Sequence, residues 1–144
     1  MLTLETASLI AQATLREGGE RGLAPLCAVV LDTGGHDLVV MRSEHAASYR
    51  VAIARAKAAG CIGMGMGGRE IARRAQAAPA FYASLPAIVS GGILPVPGGI
   101  LIRGADGAVT GAVGVSGDTA DNDEAAALAG VSAAGFAADT GAEP

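Results

Sequence analysis

Apolar positions along the chain follow two rhythms. Leu4, Ala7, Ala11 and Leu15 recur at helical spacing while Glu5, Gln12, Arg16 and Glu20 sit elsewhere on the wheel. The spacing predicts a helix from Leu4 to about Arg21, with Thr3 as its cap and Gly18, Gly19 and Gly22 weakening its end. Pro25 then introduces Leu26–Asp32, a short unbroken apolar run with β-branched residues that reads as a buried strand. Thr33-Gly34-Gly35-His36 is a turn, and Asp37–Arg42 is the returning strand of a first hairpin. Beyond a loop at Ser43–Ser48, Val51, Ala54, Ala58 and Cys61 return to helical spacing, so a second helix is expected from Tyr49 to about Ile62, capped by Ser48. A Gly/Met-rich connector (Gly63–Gly68), a short helix (Arg69–Ala78) and a loop or helical turn bounded by Pro79 and Pro86 follow. Ala87–Ser90 reads as a short strand.

The stretch from Ser90 to Glu124 carries a second hairpin. Gly99–Arg103 and Ala108–Ser116 are apolar runs separated by Gly104-Ala105-Asp106-Gly107, and Asp-Gly tolerates the positive φ angles of a tight turn. A last helix is expected from about Ala120 to Ala138, and Asp139–Pro144 as a frayed tail. Tight hairpins join only antiparallel strands, so the class is α+β, in a single domain over residues 1–138.

Composition narrows the classes. The 144 residues are half apolar with only 3% aromatics, which points to Ala-rich helices packed closely on a Val/Ile sheet. The net charge is −4, and no basic patch is interleaved with aromatics, so nucleic acid is a poor partner. No apolar run reaches membrane-spanning length and no signal peptide is recognised, so a cytoplasmic protein is expected. Cys27 and Cys61 lie in apolar contexts and read as buried reduced thiols rather than a disulfide. Arg69, Arg73 and Arg74 read as a solvated helix face.

Several segments, in order, resemble the GlcG/HbpS heme-binding-like proteins, the DUF336 domain that also forms the C-terminal part of PduO-type adenosyltransferases. They are Leu2-Thr3-Leu4-Glu5, Asp32-Thr33-Gly34-Gly35-His36 with Arg42, and Ser48 followed by Ala52–Ala58. Further on come Gly91-Gly92, Pro97-Gly98-Gly99, and Gly111–Gly117 with Asp123-Glu124. The resemblance implies a five-stranded antiparallel sheet with flanking helices, profilin-like. It implies a homo-oligomer, often an octamer, and a small-molecule ligand that in some members is heme. After Ser116-Gly117 the family usually carries a second Gly, where this chain has Asp118.

The candidate chemistry divides between ligands and clamps. Gly63–Gly68 matches G-x-G-x-x-G by letter, but a helix rather than a strand precedes it, so a connector is the better reading. His36 reads as an exposed turn residue. His45, in the loop before the second helix, is either a surface residue or an axial heme ligand or acid/base group. No spacing suits zinc, and Met41, Met64 and Met66 read as core or loop filler. Arg42, Arg50 and Lys57 either hold a ligand carboxylate or form salt bridges to Asp32, Asp123 or Glu124. Pro97, Gly98 and Gly99 would wall a pocket. Asp118, Asp121, Asp123 and Glu124 crowd the last helix N-terminus, as capping charge or as an acid/base site. Three functions remain open. The first is a heme or tetrapyrrole binder using Arg42, His45 and Lys57. The second is a cofactor-free enzyme of small-molecule catabolism, moving a proton on a carboxylated or carbonyl substrate through His45, Tyr49, Asp123 or Glu124. The third is a structural oligomer.

Overall fold

The computed structural model describes residues 1–144. Its elements run α1 (Leu4–Glu20), β1 (Cys27–Leu31), β2 (Asp37–Arg42), α2 (Arg50–Met64), α3 (Gly68–Ala77) and α4 (Pro79–Ser84). They continue through a 3-10 turn (Leu85–Ala87), β3 (Gly99–Arg103), β4 (Val109–Ser116), α5 (Ala120–Ala133) and β5 (Ala137–Asp139). The strands form one antiparallel sheet in the order β2-β1-β4-β3-β5. The expected α+β class and the five-stranded antiparallel sheet are both present.

Both faces of the sheet are covered, which explains why the β1 run is apolar without alternation. On one face Ala28, Val30, Ile100, Ile102, Val113 and Val115 pack against α1 and α5. On the other, Cys27, Val29, Leu31, Leu101 and Ala112 meet Ala54, Ala58 and Cys61 of α2 and Ile71 of α3. Small residues let the layers close. A Cβ on Gly114 of β4 would collide with the Ala54 carbonyl, and one on Gly99 of β3 would sit 2.5 Å from the Lys57 carbonyl. The α2 backbone therefore lies directly on the sheet. Gly130 plays the same part where α5 crosses Thr14 of α1.

Thr3 caps α1 through Thr6 N, as expected. Four expectations are corrected. Tyr49, not Ser48, stands at the N-cap of α2, with no side-chain bond to the helix. The Gly63–Gly68 segment is half helix rather than a free connector. Gly63 and Met64 finish α2, Gly65 ends it in the left-handed conformation (φ 71°), and Gly68 already begins α3. Ala87–Ser90 is no strand, because Leu85-Pro86-Ala87 coil into a 3-10 turn that continues α4. The last helix stops at Ala133, where Gly135 (φ 81°) turns the chain back so that Ala137–Asp139 pairs with Leu101–Arg103. The fifth strand thus comes from residues expected to be helix end and tail. Asp139 also accepts from Arg103, and Thr140 O accepts from Arg69 N at 3.0 Å.

Two glycines separate packing from propensity. Gly114→Ala should destabilise the fold by about 1–3 kcal/mol, because α2 must lift off β4. Gly63→Ala meets nothing within 4 Å and should stabilise it by about 0.5–1 kcal/mol. Urea unfolding of both variants checks this, and a neutral Gly114→Ala contradicts the packing.

Candidate functional site

Lys57 lies on the buried face of α2, 5% exposed. Its stem runs past the start of β3 toward the end of β4. There Nζ donates to Val115 O at 2.9 Å and to Asp123 Oδ2 at 3.0 Å. Asp123, 1% exposed in the first turn of α5, accepts from Asp118 N through its other oxygen at 2.9 Å. Gly98 makes room. It adopts φ 118°, and a Cβ there would lie 2.8 Å from Nζ. Burial pushes the Asp123 carboxyl up, against the opposing pull of the Asp118 amide, of Lys57 and, more weakly, of Arg50.

The other acids at this helix end are also engaged. Arg69 of α3 grips Glu124 with two nitrogens, at 3.0 and 2.9 Å, and reaches Asp121 at 2.8 Å. These bonds hold the Arg69 guanidinium more firmly charged. Arg69 is therefore a latch between α3 and α5 rather than part of a solvated face. Asp118 accepts from Asn122 Nδ2, Ala24 N and Thr119 N, and those bonds hold its carboxyl below the usual range. Thr119 is the N-cap. The acid/base reading of Asp123 and Glu124 meets closed partners, and no depression in the surface is lined by either.

A second constellation lies nearer the surface, at the start of α2, where Arg50 contacts Ser116 next to the Val115 that accepts from Lys57. Arg42 closes β2 and donates to Ala46 O at 2.9 Å and Ser43 O at 3.3 Å. It thereby folds the following loop into a tight arch. Ala46 is buried beneath the arch, and His45 on it is exposed at φ 74°, the one non-glycine residue with positive φ. That conformation costs on the order of 1 kcal/mol. Tyr49 is 80% exposed. Next to it, Arg50 donates to the buried Ser116 Oγ at 3.3 Å. Cys27 pairs across the sheet with Arg42 on one side and Ser116 on the other, so the two arginines flank it. Burial raises the Cys27 thiol and the two positive charges oppose that rise. Every other arginine from Arg55 onward is ion-paired, but Arg42 and Arg50 enter no ion pair.

The expected site residues therefore separate. Arg42, His45, Tyr49 and Arg50 come together on one arch. Lys57 is corrected from ligand clamp to interior ion pair, because its charge is spent on Asp123. Pro97, Gly98 and Gly99 line none of the surface depressions. Gly98 and Gly99 are bare because Lys57 passes them, not because a ligand does. Cys61 is buried against Gly99, and its thiol is pushed up to about 12, chiefly by burial. Both cysteines are held as thiols rather than as metal-binding thiolates. His36 sits in its turn with Nδ1 3.2 Å from Asp32. No three His, Cys, Asp or Glu side chains gather as metal ligands. No helix is long and apolar enough to cross a membrane.

The buried pair is testable by its non-additivity. Lys57→Met leaves Asp123 uncompensated and should cost about 3–5 kcal/mol. Adding Asp123→Asn should return part of that loss in urea unfolding. Additive losses would show that the two groups do not act as a pair.

Residues 2–132 match the family model described as "Haem degrading protein HbpS-like". Among solved structures, a double mutant of HbpS from Streptomyces reticuli is 31% identical, with TM-score 0.78 over 91% of this chain and 85% of that one. The Klebsiella pneumoniae protein ORFY, a DUF336 protein, is 28% identical, with TM-score 0.82 over 92% and 90%. A structure of PduOC in complex with heme shares the fold at 21% identity, with TM-score 0.83 over 94% and 96%. No curated protein matches the chain significantly. The chain belongs to the HbpS-like family.

Proposed function

We propose that this member of the HbpS-like family binds a flat, carboxylated small molecule, heme or a related tetrapyrrole, on the Arg42–Arg50 arch. The observation that carries the reading is the pair of guanidiniums, Arg42 and Arg50, standing over Cys27 without a carboxylate partner. Each has donors left beyond its bonds to the loop carbonyls or to Ser116, and a guanidinium binds carboxylates through paired N–H groups. The family description, which names haem, supports the choice of ligand.

The donor set fits such a group. Propionate-like carboxylates would meet Arg42 and Arg50. The His45 imidazole, exposed on the same arch, would reach a metal, and exposed Val40 and Tyr49 offer apolar contact. The depressions in the chain have volumes of about 190 to 540 Å³, and none is lined by Arg42, His45, Tyr49 or Arg50. The ligand therefore lies against the surface. When bound, heme supplies an iron able to take an axial ligand and exchange electrons. The chain's own part is to orient the carboxylates with Arg42 and Arg50 and to present one imidazole.

Titrating the purified protein with hemin should give a saturable Soret band. Arg42→Ala with Arg50→Ala should weaken binding at least about tenfold, which is about 1.4 kcal/mol. His45→Ala should move the band while leaving most of the affinity. No Soret change in the parent protein, or unchanged affinity in the double variant, overturns the proposal.

A further inference from the structure

The chain has two Phe and two Tyr, and one of each stands side by side, Phe81 and Tyr82. They lie on α4, at a corner that the sequence builds from one proline. Pro79 has no amide proton and disfavours the helical conformation in the residue before it. Ala78 accordingly adopts φ −136° and ψ 63°, so α3 stops there and α4 leaves from the same residue. The corner holds a cleft of about 350 Å³ between the end of α2, the last turn of α3 and α4. Met64, Ala77, Ala78, Phe81 and Tyr82 line it, and Arg74 supplies the sole charge.

The walls are in place without a ligand. Met64 and Tyr82 pack against the core cluster that contains Cys61 and Ile71. Phe81 meets Tyr82 edge to face, with ring centres 5.4 Å apart and planes at 73°. The rest of the Phe81 ring stays open, at 55% exposed. Ala77 and Ala78 are too short to fill the space between. Arg74 is only loosely held. Its one carboxylate contact is Glu70 Oε2, a helical turn earlier, at 3.5 Å, and its side chain is 60% exposed. That distance is too long for a good hydrogen bond, and an exposed pair of this kind contributes little. The guanidinium is therefore free to take another partner, unlike Arg69, which grips Glu124 twice.

This lining selects a class of ligand. An apolar body gains by leaving water, and an aromatic one gains further from the two rings and the Met64 thioether. The only charge is a cation with unused N–H donors, which takes a carboxylate and repels an ammonium. A cleft of this size stands at the lower end of small-molecule sites and has room for a single ring.

We propose that the α3–α4 corner binds a small aromatic carboxylate, one ring bearing one acid group. The ring lies against Phe81, Tyr82 and Met64, and the carboxylate meets Arg74. The cleft shares no residue with the Arg42–Arg50 arch, so the assignment stands whether or not the arch binds a tetrapyrrole.

Titration with phenylacetate, followed through the methionine methyl signals by proton–carbon nuclear magnetic resonance, tests it. The Met64 methyl should shift saturably under the ring current of the ligand, with Met41 unmoved. Benzylamine keeps the ring and reverses the charge, and hexanoate keeps the charge and lacks the ring; each should bind about tenfold more weakly. Arg74→Gln should weaken phenylacetate binding about tenfold, and Phe81→Ala severalfold. Both side chains are more than half exposed, and methyl spectra unchanged away from Met64 show that the variants fold. Arg42→Ala with Arg50→Ala should bind phenylacetate like the parent protein. No Met64 shift, benzylamine or hexanoate binding as tightly as phenylacetate, or an unchanged affinity in Arg74→Gln overturns the proposal. So does loss of phenylacetate binding in the double arch variant, which would put the acid on the arch instead.

Discussion

The structure depends on one buried ion pair. Lys57 belongs to the helical layer on one face of the sheet and Asp123 to the layer on the other. They meet at the end of the sheet, beside Val115 and Gly98. Two desolvated charges are costly unless each is paired and further hydrogen-bonded. Here Val115 O and the Asp118 amide supply the additional bonds. The pair constrains what surrounds it. Gly98 must lack a side chain to let the lysine pass, and Gly99 and Gly114 must be bare so that α2 lies low enough for Lys57 to reach. Arg69, clasping Glu124 and Asp121, repeats the link between layers a short way along α5.

Fixing α2 at this depth has a consequence at its first turn, close by. The helix starts over β1 and β4, where Arg50 touches Ser116, and Arg42 reaches the same spot from the neighbouring strand. The chain thus spends its interior charges on architecture and leaves two adjacent cations unpaired outside. That division separates a residue that holds the fold from residues able to hold a ligand. It also explains why the acidic cluster at α5 is quiet: each of its members already has a donor.

Much of the fold is legible in the sequence because its signals are local. The two hairpins announce themselves through Gly34-Gly35 and Asp106-Gly107, and α1 through its cap and spacing. The fifth strand is not legible, since Ala137-Ala138-Asp139 has no β signature and is a strand only because β3 offers it an edge. Gly67 and Gly68 read locally as flexibility. They are close approaches to Asp139–Thr140 and to Val96 and Gly99, contacts between residues far apart in sequence that no local pattern encodes. The arch is half legible. Residue type and neighbourhood along the chain single out Arg42, His45, Tyr49 and Arg50. Helical spacing from Arg50 groups Lys57 with them, and its amine does come close, at Val115 beside Arg50's partner Ser116, but it is buried and spent on Asp123.

Interior charge builds the fold, and the exposed arch is the surface we propose for the ligand. Nuclear magnetic resonance of the arginine Nε–H and lysine Nζ groups, during titration with a diamagnetic metalloporphyrin, decides whether this division holds. The Arg42 and Arg50 side-chain resonances should shift in proportion to occupancy, while those of Lys57 and the Asp123 carboxyl stay fixed. Shifts at Lys57 and Asp123 with Arg42 and Arg50 unmoved would contradict it.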